Sequence, residues 1–305
     1  MGKPNKSNGI NIISKKVNAL FVTLFSIYCI ACLLPLVLIF MVSITDEKSL
    51  IENGYSFFPS EISFSTYKYL FLDSEKLFRA YGVTIAVCVI GTILCVLMTM
   101  LYAYPISRKS FKYRNFFSFF VFFTMLFQGG LVPWYILYTQ YLKLQNNPAV
   151  LIIPALVNAF NVLIMKTFFT TNLPDSVLES ARIDGASEMR TFLKIVIPLS
   201  KPAIATIGLF SVLSYWNDWY LCLLYITDEK YYNLQYSMYQ ALRTVEYLTS
   251  SHAAAMGSTS SELAKIPGET LRMAMAILGI GPIIFAYPFF QKYFIKGLTI
   301  GAVKG

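Results

Sequence analysis

Six long stretches of this chain contain almost no charged residues, and they constrain its fold more than any other feature. They are residues 17–45, 80–107, 115–142, 144–165, 202–227 and 273–291. All of them are free of charge except 202–227, which carries only Asp218. A helix needs about 20 apolar residues to cross the roughly 30 Å hydrocarbon core of a membrane. The sequence therefore predicts an all-α polytopic membrane protein with six transmembrane helices.

The composition agrees with residence in a membrane. Hydrophobic residues make up 56% of the 305 positions and charged residues only 13%, too few to cover the surface of a soluble protein of this size. The net charge of +9 comes from basic residues that flank the apolar stretches. This arrangement favours contact with anionic lipid headgroups over binding of nucleic acid.

Lysine and arginine are concentrated in alternate connections between the six stretches. An even number of crossings places both termini on one side, and basic connections are typical of the cytoplasmic side. The basic residues on that side are Lys3, Lys6, Lys15, Lys16, Arg108, Lys109, Lys112, Arg114, Lys166, Arg182, Arg190, Lys194, Lys201, Lys292, Lys296 and Lys304. We therefore expect both termini to be cytoplasmic.

The residue types needed for common catalytic and metal sites are scarce. The five cysteines all fall inside apolar stretches, and His252 is the only histidine, which excludes a zinc constellation or a histidine-based triad within this sequence. No Gly-x4-Gly-Lys-Ser/Thr pattern occurs, so we expect no ATP binding by the chain itself. The sequence predicts a protein that is not an enzyme and holds no cofactor.

The connection between the fourth and fifth stretches is long and charged, and we call residues 172–202 the polar loop. Ser176 and Glu179 have the spacing of a capping box, which predicts the start of a helix behind Pro174. Val177, Leu178 and Ala181 would form its narrow apolar stripe. Gly185 can adopt the left-handed conformation that ends a helix.

A second amphipathic segment follows Gly185. Met189, Phe192, Leu193 and Val196 would lie on one side of it, and prolines at 198 and 202 would stop it. A bent surface element of this kind, half apolar and half charged, suits docking into a groove of another protein.

The polar loop resembles the cytoplasmic loop of binding-protein-dependent ABC importer permeases. The family signature is Glu-Ala-Ala, three residues, Gly, nine residues, Ile, one residue, Leu-Pro. The matching residues are Glu179, Ala181, Gly185, Ile195 and Pro198, with Ser180 and Ile197 as departures. The segments ARIDGAS, FLKIVIPLSKP, SYWNDWY and KGLTIGAVKG are similar to the carbohydrate (maltose-type) branch.

This resemblance implies an ABC importer type I permease fold with a cytoplasmic coupling helix, in a bacterial plasma membrane. The implied domains are a cytoplasmic tail (1–17), a permease domain (18–292) with a coupling loop (172–202) and an external loop (228–270), and a second cytoplasmic tail (293–305). The implied coupling residues are Glu179, Ala181, Arg182, Asp184, Gly185 and Pro198. The terminal residues Gly301 to Gly305 would reach toward the ATPase.

The resemblance also implies partners. They are a second homologous permease subunit, two cytoplasmic ATPase subunits that bind ATP and Mg, and an extracytoplasmic solute-binding protein that delivers a sugar or oligosaccharide. This chain would form half of the translocation pathway.

Polar residues inside the apolar stretches are candidates for a substrate pathway. Gln128 lies in a Gln-Gly-Gly segment that predicts a break in the third stretch or, alternatively, a helix end in an aromatic belt. Asn158, Asn161 and Met165 have the spacing of one helical face, which suits either a pathway or hydrogen bonds between helices.

The fifth stretch combines polar and aromatic residues. The candidates there are Tyr215, Trp216, Asn217, Asp218 and Trp219. Rings that stack on apolar sugar faces, beside groups that bind hydroxyls, are typical of sugar recognition, although residues 217–226 could also lie at the external interface. Two other function classes stay open: an ion-coupled transporter or channel that uses Asp218, and a membrane scaffold.

Overall fold

The structure, a computed structural model, describes residues 14–71, 74–249 and 268–302. Most of the predicted N-terminal tail (1–13), part of the predicted external loop (250–267, with His252) and the end of the C-terminal tail (303–305) lie outside the described residues.

The described residues are almost entirely helical, which confirms the predicted all-α class. The helices before the polar loop are α1 (Lys15–Ser43), α2 (Glu47–Asn53), α3 (Ser65–Phe71), α4 (Ser74–Ser107), α5 (Arg114–Leu126), α6 (Leu131–Ile136) and α7 (Ala159–Asn172). The polar loop and the remainder hold α8 (Asp175–Ile183), α9 (Glu188–Thr191), α10 (Ile197–Leu199), α11 (Lys201–Trp216), α12 (Tyr220–Tyr225), α13 (Leu234–Thr249) and α14 (Glu269–Ala302). Short π and 3-10 segments link several of them.

Two helices are long and apolar enough to cross a membrane alone, α1 with 29 residues and α4 with 34. Three pairs pass the same test together but are bent: α5 with Leu131–Tyr141 by 112°, Pro148–Ala155 with α7 by 48°, and Glu188–Leu199 with α11 by 79°. Within the described residues this gives up to five spans by length and composition. The first member of the last pair belongs to the polar loop, and α14 covers the sixth charge-poor stretch. The count of six crossings stays a prediction.

The helix is interrupted at Gln128, which fits both the predicted break and the alternative of a helix end. Helix α5 ends at Leu126, and Gly130 precedes α6 with a φ of +85°, a conformation that glycine adopts without a Cβ clash. The fourth stretch differs from the prediction of a helix over 144–165. Its first half forms 3-10 turns around two prolines, and α7 begins only at Ala159.

The chain forms two compact units. Of the described residues, the first contains 14–68 and 268–277, and the second contains the rest. In the first unit α1 is exposed along almost all of its length, as suits a helix whose neighbours are lipid. Glu47 accepts hydrogen bonds from the backbone N–H groups of Gly268, Glu269 and Thr270, each at 3.0 Å. A carboxylate at these free N–H groups stabilises the start of α14.

Helix α4 is the centre of the second unit, with α7 and α11 packed along it. One buried cluster surrounds its first half and includes Tyr215 and Tyr225, and another surrounds its second half and includes Met165 and Phe169. Apolar side chains gain little from leaving lipid, so close van der Waals packing holds such helices together. Helix α4 therefore connects the two ends of the unit mechanically.

Candidate functional site

The start of the polar loop differs from the predicted capping box. Pro174 is the N-cap of α8 and provides no side-chain cap, so the helix begins at Asp175. Ser176 lies inside the first turn, where its carbonyl accepts a hydrogen bond from the Ser180 hydroxyl at 2.9 Å. The capping box of Ser176 and Glu179 is therefore wrong, because the helix starts two residues earlier, behind the fixed φ of Pro174.

The predicted turn at Gly185 is confirmed. Its φ is +74°, its N–H donates to the carbonyl of Arg182 at 3.0 Å, and the N–H of Ala186 donates to that of Ala181 at 2.9 Å. These two bonds form a Schellman motif, which ends α8 and reverses the chain into α9. An added Cβ at Gly185 would meet no atom within 4 Å, so backbone conformation, not space, favours glycine in this chain.

The apolar side chains of the polar loop divide into a buried and an exposed set. Leu178 and Ala181 are buried, and Phe192 and Val196 pack into the cluster around the second half of α4. Ile183 is 86% exposed. The stripe predicted on the second segment is thus wrong in part: Met189 and Leu193 point to the outside, because only the face with Phe192 and Val196 meets the core.

Side chains from the end of α4, from the segment just after it and from both halves of the polar loop form a polar network. The Tyr104 hydroxyl donates to Glu188 Oε2 at 3.0 Å, and the Arg182 guanidinium donates to Glu188 Oε1 through Nε at 3.0 Å and Nη2 at 2.7 Å. Lys109 forms an ion pair with Asp175 at 2.9 Å. These five residues line a pocket of about 230 Å³.

Electrostatics keep both carboxylates of the network ionised. The hydrogen bonds from Arg182 lower the pKa of Glu188, and the hydrogen bond from Lys109 lowers that of Asp175. Arg108, which is buried beside them, lies 5.1 Å from the centre of the Tyr104 ring and donates to Ser107 Oγ.

Three other predicted coupling residues lie at the periphery of this network. Glu179 and Asp184 are exposed, and neither has an ion pair within the described part of the chain. Pro198 lies in α10, just before the 79° bend at the buried Ser200. The structure thus brings Arg182 into the network, buries Ala181, and leaves Asp184 exposed and Glu179 exposed at the lining of the same pocket.

The predicted pathway residues meet at two adjoining pockets, which we call the Tyr215 pockets. The first has a volume of about 350 Å³ and the second about 300 Å³. Among the residues lining the first are Asn158, Asn161, Ser211, Ser214 and Tyr215. Among those lining the second are Ser214, Tyr215, Asn217, Asp218 and Trp219. Six of the eight candidates therefore come together.

Two candidates lie elsewhere. Trp216 is buried and its indole N–H donates to the carbonyl of Gly279 at 2.8 Å, which makes it a packing residue between α11 and α14. Gln128 is exposed at the break after α5 and lines neither pocket.

Asn158 has a different position from the one predicted. It is the N-cap of α7, and its side chain accepts the backbone N–H of Asn161 at 3.2 Å. The interpretation of Asn158 and Asn161 as two amides on one helical face is therefore wrong, because the helix starts between them. Asn161 and Met165 are both buried, one turn apart in α7.

Polar groups of the Tyr215 pockets are only partly satisfied within the chain. Asp218 Oδ1 accepts the backbone N–H of Leu221 at 3.2 Å, whereas Oδ2 is buried without a hydrogen-bond partner among the described residues. Trp219 stacks on Tyr239 with ring centres 4.7 Å apart, so one face of its indole is already covered. Tyr215 donates to the carbonyl of Ile152 at 3.1 Å.

Sequence reasoning did not select Tyr104 or Glu188 as site residues. Glu188 follows Arg182 by six positions, and only the reversal at Gly185 brings the two side chains together. The signal that could have identified the Arg182–Glu188 pair is a basic residue shortly before a left-handed glycine turn and an acidic residue shortly after it.

Comparisons with known proteins agree with these observations. Residues 89–300 match the family described as binding-protein-dependent transport system inner membrane component. Two relatives come from Bacillus subtilis (strain 168). The polygalacturonan/rhamnogalacturonan transport system permease protein YtcP is 35% identical over 91% of this chain and 94% of its own. Protein LplC is 38% identical over 90% of both chains.

One solved structure is similar along almost the whole chain. It belongs to a bacterial ABC transporter involved in the import of the acidic polysaccharide alginate. The TM-score is 0.76 and the identity 29%, and the likeness covers 94% of this chain and 100% of the other.

Proposed function

Because the chain belongs to the family of binding-protein-dependent transport system inner membrane components, we propose that it is the permease subunit of an ABC importer for an oligosaccharide. YtcP is named for polygalacturonan and rhamnogalacturonan, and the transporter of the similar structure imports alginate. Their common chemistry is a chain of hydroxyl-bearing rings, and that class is the proposed substrate.

The polar loop is the observation that carries this proposal. In this loop the chain reverses direction between α8 and α9. Its core-facing side chains are buried, while Ile183, Met189 and Leu193 are exposed. Exposed carboxylates at Glu179 and Asp184 flank them. Protruding apolar groups with a charged rim are typical of protein docking surfaces. In this proposal the surface seats in a cleft of a cytoplasmic ATPase subunit.

Ala181 contributes to coupling by position. Because its side chain faces the core of this chain, it does not reach the ATPase, and a larger or charged group there would displace α8 from Phe192 and its neighbours. Gly185 also contributes by position, because it forms the turn between α8 and α9. Pro198 contributes by position just before the bend into α11.

Energy is supplied by the partners in this proposal. Two ATPase subunits, with ATP and Mg, close and move the polar loop, and the bend at Ser200 passes the motion into α11. The Tyr215 pockets lie between the 3-10 turns, α7 and α11, so tilting of α11 changes their access. A second permease subunit completes the pathway, and an extracytoplasmic binding protein delivers the substrate.

The lining of the Tyr215 pockets suits this substrate class. Hydroxyl groups of Ser211 and Ser214 and amides of Asn161 and Asn217 can exchange hydrogen bonds with sugar hydroxyls, and Asp218 Oδ2 is an acceptor without a partner in the described chain. The Tyr215 and Trp219 rings supply apolar surface.

Reconstitution tests the proposal. The chain is co-expressed with its second permease, ATPase and binding-protein partners, placed in proteoliposomes, and assayed with neutral and uronate oligosaccharides. We expect uptake that requires ATP and the binding protein, and ATP hydrolysis that the loaded binding protein stimulates. Uptake by this chain alone, driven by an ion gradient, would instead favour the ion-coupled alternative. Assembly without any stimulated hydrolysis would favour a scaffold.

A further inference from the structure

The structure assigns Glu188 a role that rests on the proposed function and extends it. We propose that Glu188 is a positioning residue that fastens both halves of the polar loop to the end of α4, so that motion of the loop is passed to α4 as well as to α11.

Both oxygens of the Glu188 carboxylate are used, and each reaches a different element. Oε1 accepts two hydrogen bonds from Arg182, which lies in α8 before the Gly185 turn. Oε2 accepts one from Tyr104, which lies in the last turn of α4. Glu188 itself begins α9. A single side chain therefore connects α4, α8 and α9.

The contribution of this junction to stability is small. The Arg182 and Glu188 side chains are 49% and 57% exposed, and exposed ion pairs contribute little to folding. The Schellman motif already holds α8 to α9 without the pair. What the carboxylate adds is a fixed orientation of the loop relative to α4, because three charge-assisted hydrogen bonds converge on one planar group.

Helix α4 provides a direct route from this junction to the Tyr215 pockets. It is continuous from Ser74 to Ser107, and Tyr104 and Gly91 are about 20 Å apart along it at 1.5 Å per residue. Cys95 lines the first pocket and accepts a hydrogen bond from Ser211 at 3.2 Å. The Tyr215 ring packs directly on Gly91. A displacement of α4 at Tyr104 thus reaches the pocket lining through one rigid element.

The experiment compares Glu188→Gln with a matched control on the same helix. Glu75→Gln removes the carboxylate of the exposed Arg79–Glu75 ion pair at the opposite end of α4. For each complex, reconstituted with all partner subunits, the measured quantity is oligosaccharide transported per ATP hydrolysed. We expect Glu188→Gln to lower this ratio by about two- to fivefold, the range that one half-exposed ion pair supports, with assembly and ATP hydrolysis retained. Glu75→Gln should leave the ratio unchanged.

A double-mutant cycle with Tyr104→Phe separates positioning from a general structural effect. Tyr104→Phe removes one hydrogen bond to Glu188 and keeps the ring. If both residues act through the same junction, the double variant should be no worse than Glu188→Gln alone. Additive losses, or a wild-type ratio for Glu188→Gln, would overturn the proposal. If the complex with Glu188→Gln fails to assemble, the transport ratio of Tyr104→Phe decides in its place. This variant can replace it because Tyr104 is half-buried and lies away from the exposed docking surface. Absence of ATP-dependent uptake in the wild type would instead refute the proposed function.

Discussion

The polar loop and the Tyr215 pockets hold polar groups in opposite ways. At the surface of the loop, Asp175 pairs with Lys109 and Arg182 pairs with Glu188, and apolar side chains protrude. In the pockets, rings and polar groups turn inward, and Asp218 Oδ2 is left without a partner among the described residues.

This difference indicates what each region contacts. A surface with protruding apolar side chains and exposed carboxylates at Glu179 and Asp184 suits a protein partner, and its exposed ion pairs can break and form again at little cost. A lined cavity with unsatisfied acceptors suits a small polar solute or water, because buried polar groups require hydrogen-bond partners.

The largest expected effect comes from breaking the turn of the polar loop. Proline at 185 cannot adopt the φ of +74° and cannot donate the N–H that reaches Arg182. We expect Gly185→Pro to lower ATP-driven uptake in vesicles by more than about tenfold, since local strain of about 1–3 kcal/mol dislocates the docking surface. Membrane insertion, measured by fractionation, should be retained.

Gly185→Asn is the control for this prediction. Asparagine tolerates the left-handed region, and a Cβ at this position meets nothing in the chain. It should retain most of the uptake. Normal uptake by Gly185→Pro would refute the coupling role of the turn. Equal loss in both variants would show that a partner, and not the turn, requires glycine here.

A smaller effect is expected from crowding the Tyr215 pockets. A Cβ at Gly91 would lie 2.7 Å from two carbon atoms of the Tyr215 ring, which forces the ring to move. Overpacking of this kind costs about 1–3 kcal/mol. We expect Gly91→Ala to lower uptake by about tenfold, since 1.4 kcal/mol corresponds to that factor. ATP hydrolysis without substrate should be unchanged.

Gly82→Ala is the matched control because it lies in the same helix and its Cβ would meet no atom within 4 Å. It should transport like the wild type and resist heat slightly better, since alanine in a helix interior is favoured over glycine by about 0.5–1 kcal/mol. If Gly91→Ala does not change uptake, Tyr215 does not limit passage of the substrate.

The smallest expected effect concerns pH. The pKa values of Glu188 and Asp175 are lowered by Arg182 and Lys109, so their ion pairs are complete above the usual carboxyl range of about 4 and weaken only as the pH falls through the lowered values. Transport per ATP should therefore stay constant between about pH 6 and 8. A decline within this window, measured with the same proteoliposomes, would show that a different group controls coupling.

Much of the structure of the polar loop could be predicted from local sequence rules. The left-handed glycine and the two helices depend on residues within a few positions of each other, and they appear in the structure. The predicted stop at Pro198 is wrong, because Pro198 lies in the first turn of α10, where proline is tolerated, and the chain bends only at Ser200. The other errors there have one local and one tertiary cause. Pro174 started α8 earlier than Ser176 would have, and only one face of the second segment found a core to pack against.

The Tyr215 pockets were predictable only in part. Asn161, Asp218 and Trp219, which the sequence singled out, line these pockets, and their role in a pathway stays a prediction. Trp216 was misplaced because its partner, the carbonyl of Gly279, is 63 residues away in the chain. Asn158 lines the first pocket, but its predicted place on a helical face is wrong because two prolines delay the start of α7, which periodicity alone does not reveal.

The sequence alone determined that this chain is an all-helical membrane protein with one charged, hinged loop, because both properties depend on local composition and short spacings. Tertiary structure decided which side chains meet. Glu188 joins Tyr104 across 84 positions and Tyr215 joins Ile152 across 63, contacts that exist only after the helices have packed. Hydrophobic pattern specifies which segments are helical, whereas the partners of a polar group depend on the rotation and register of helices that sequence spacing does not encode.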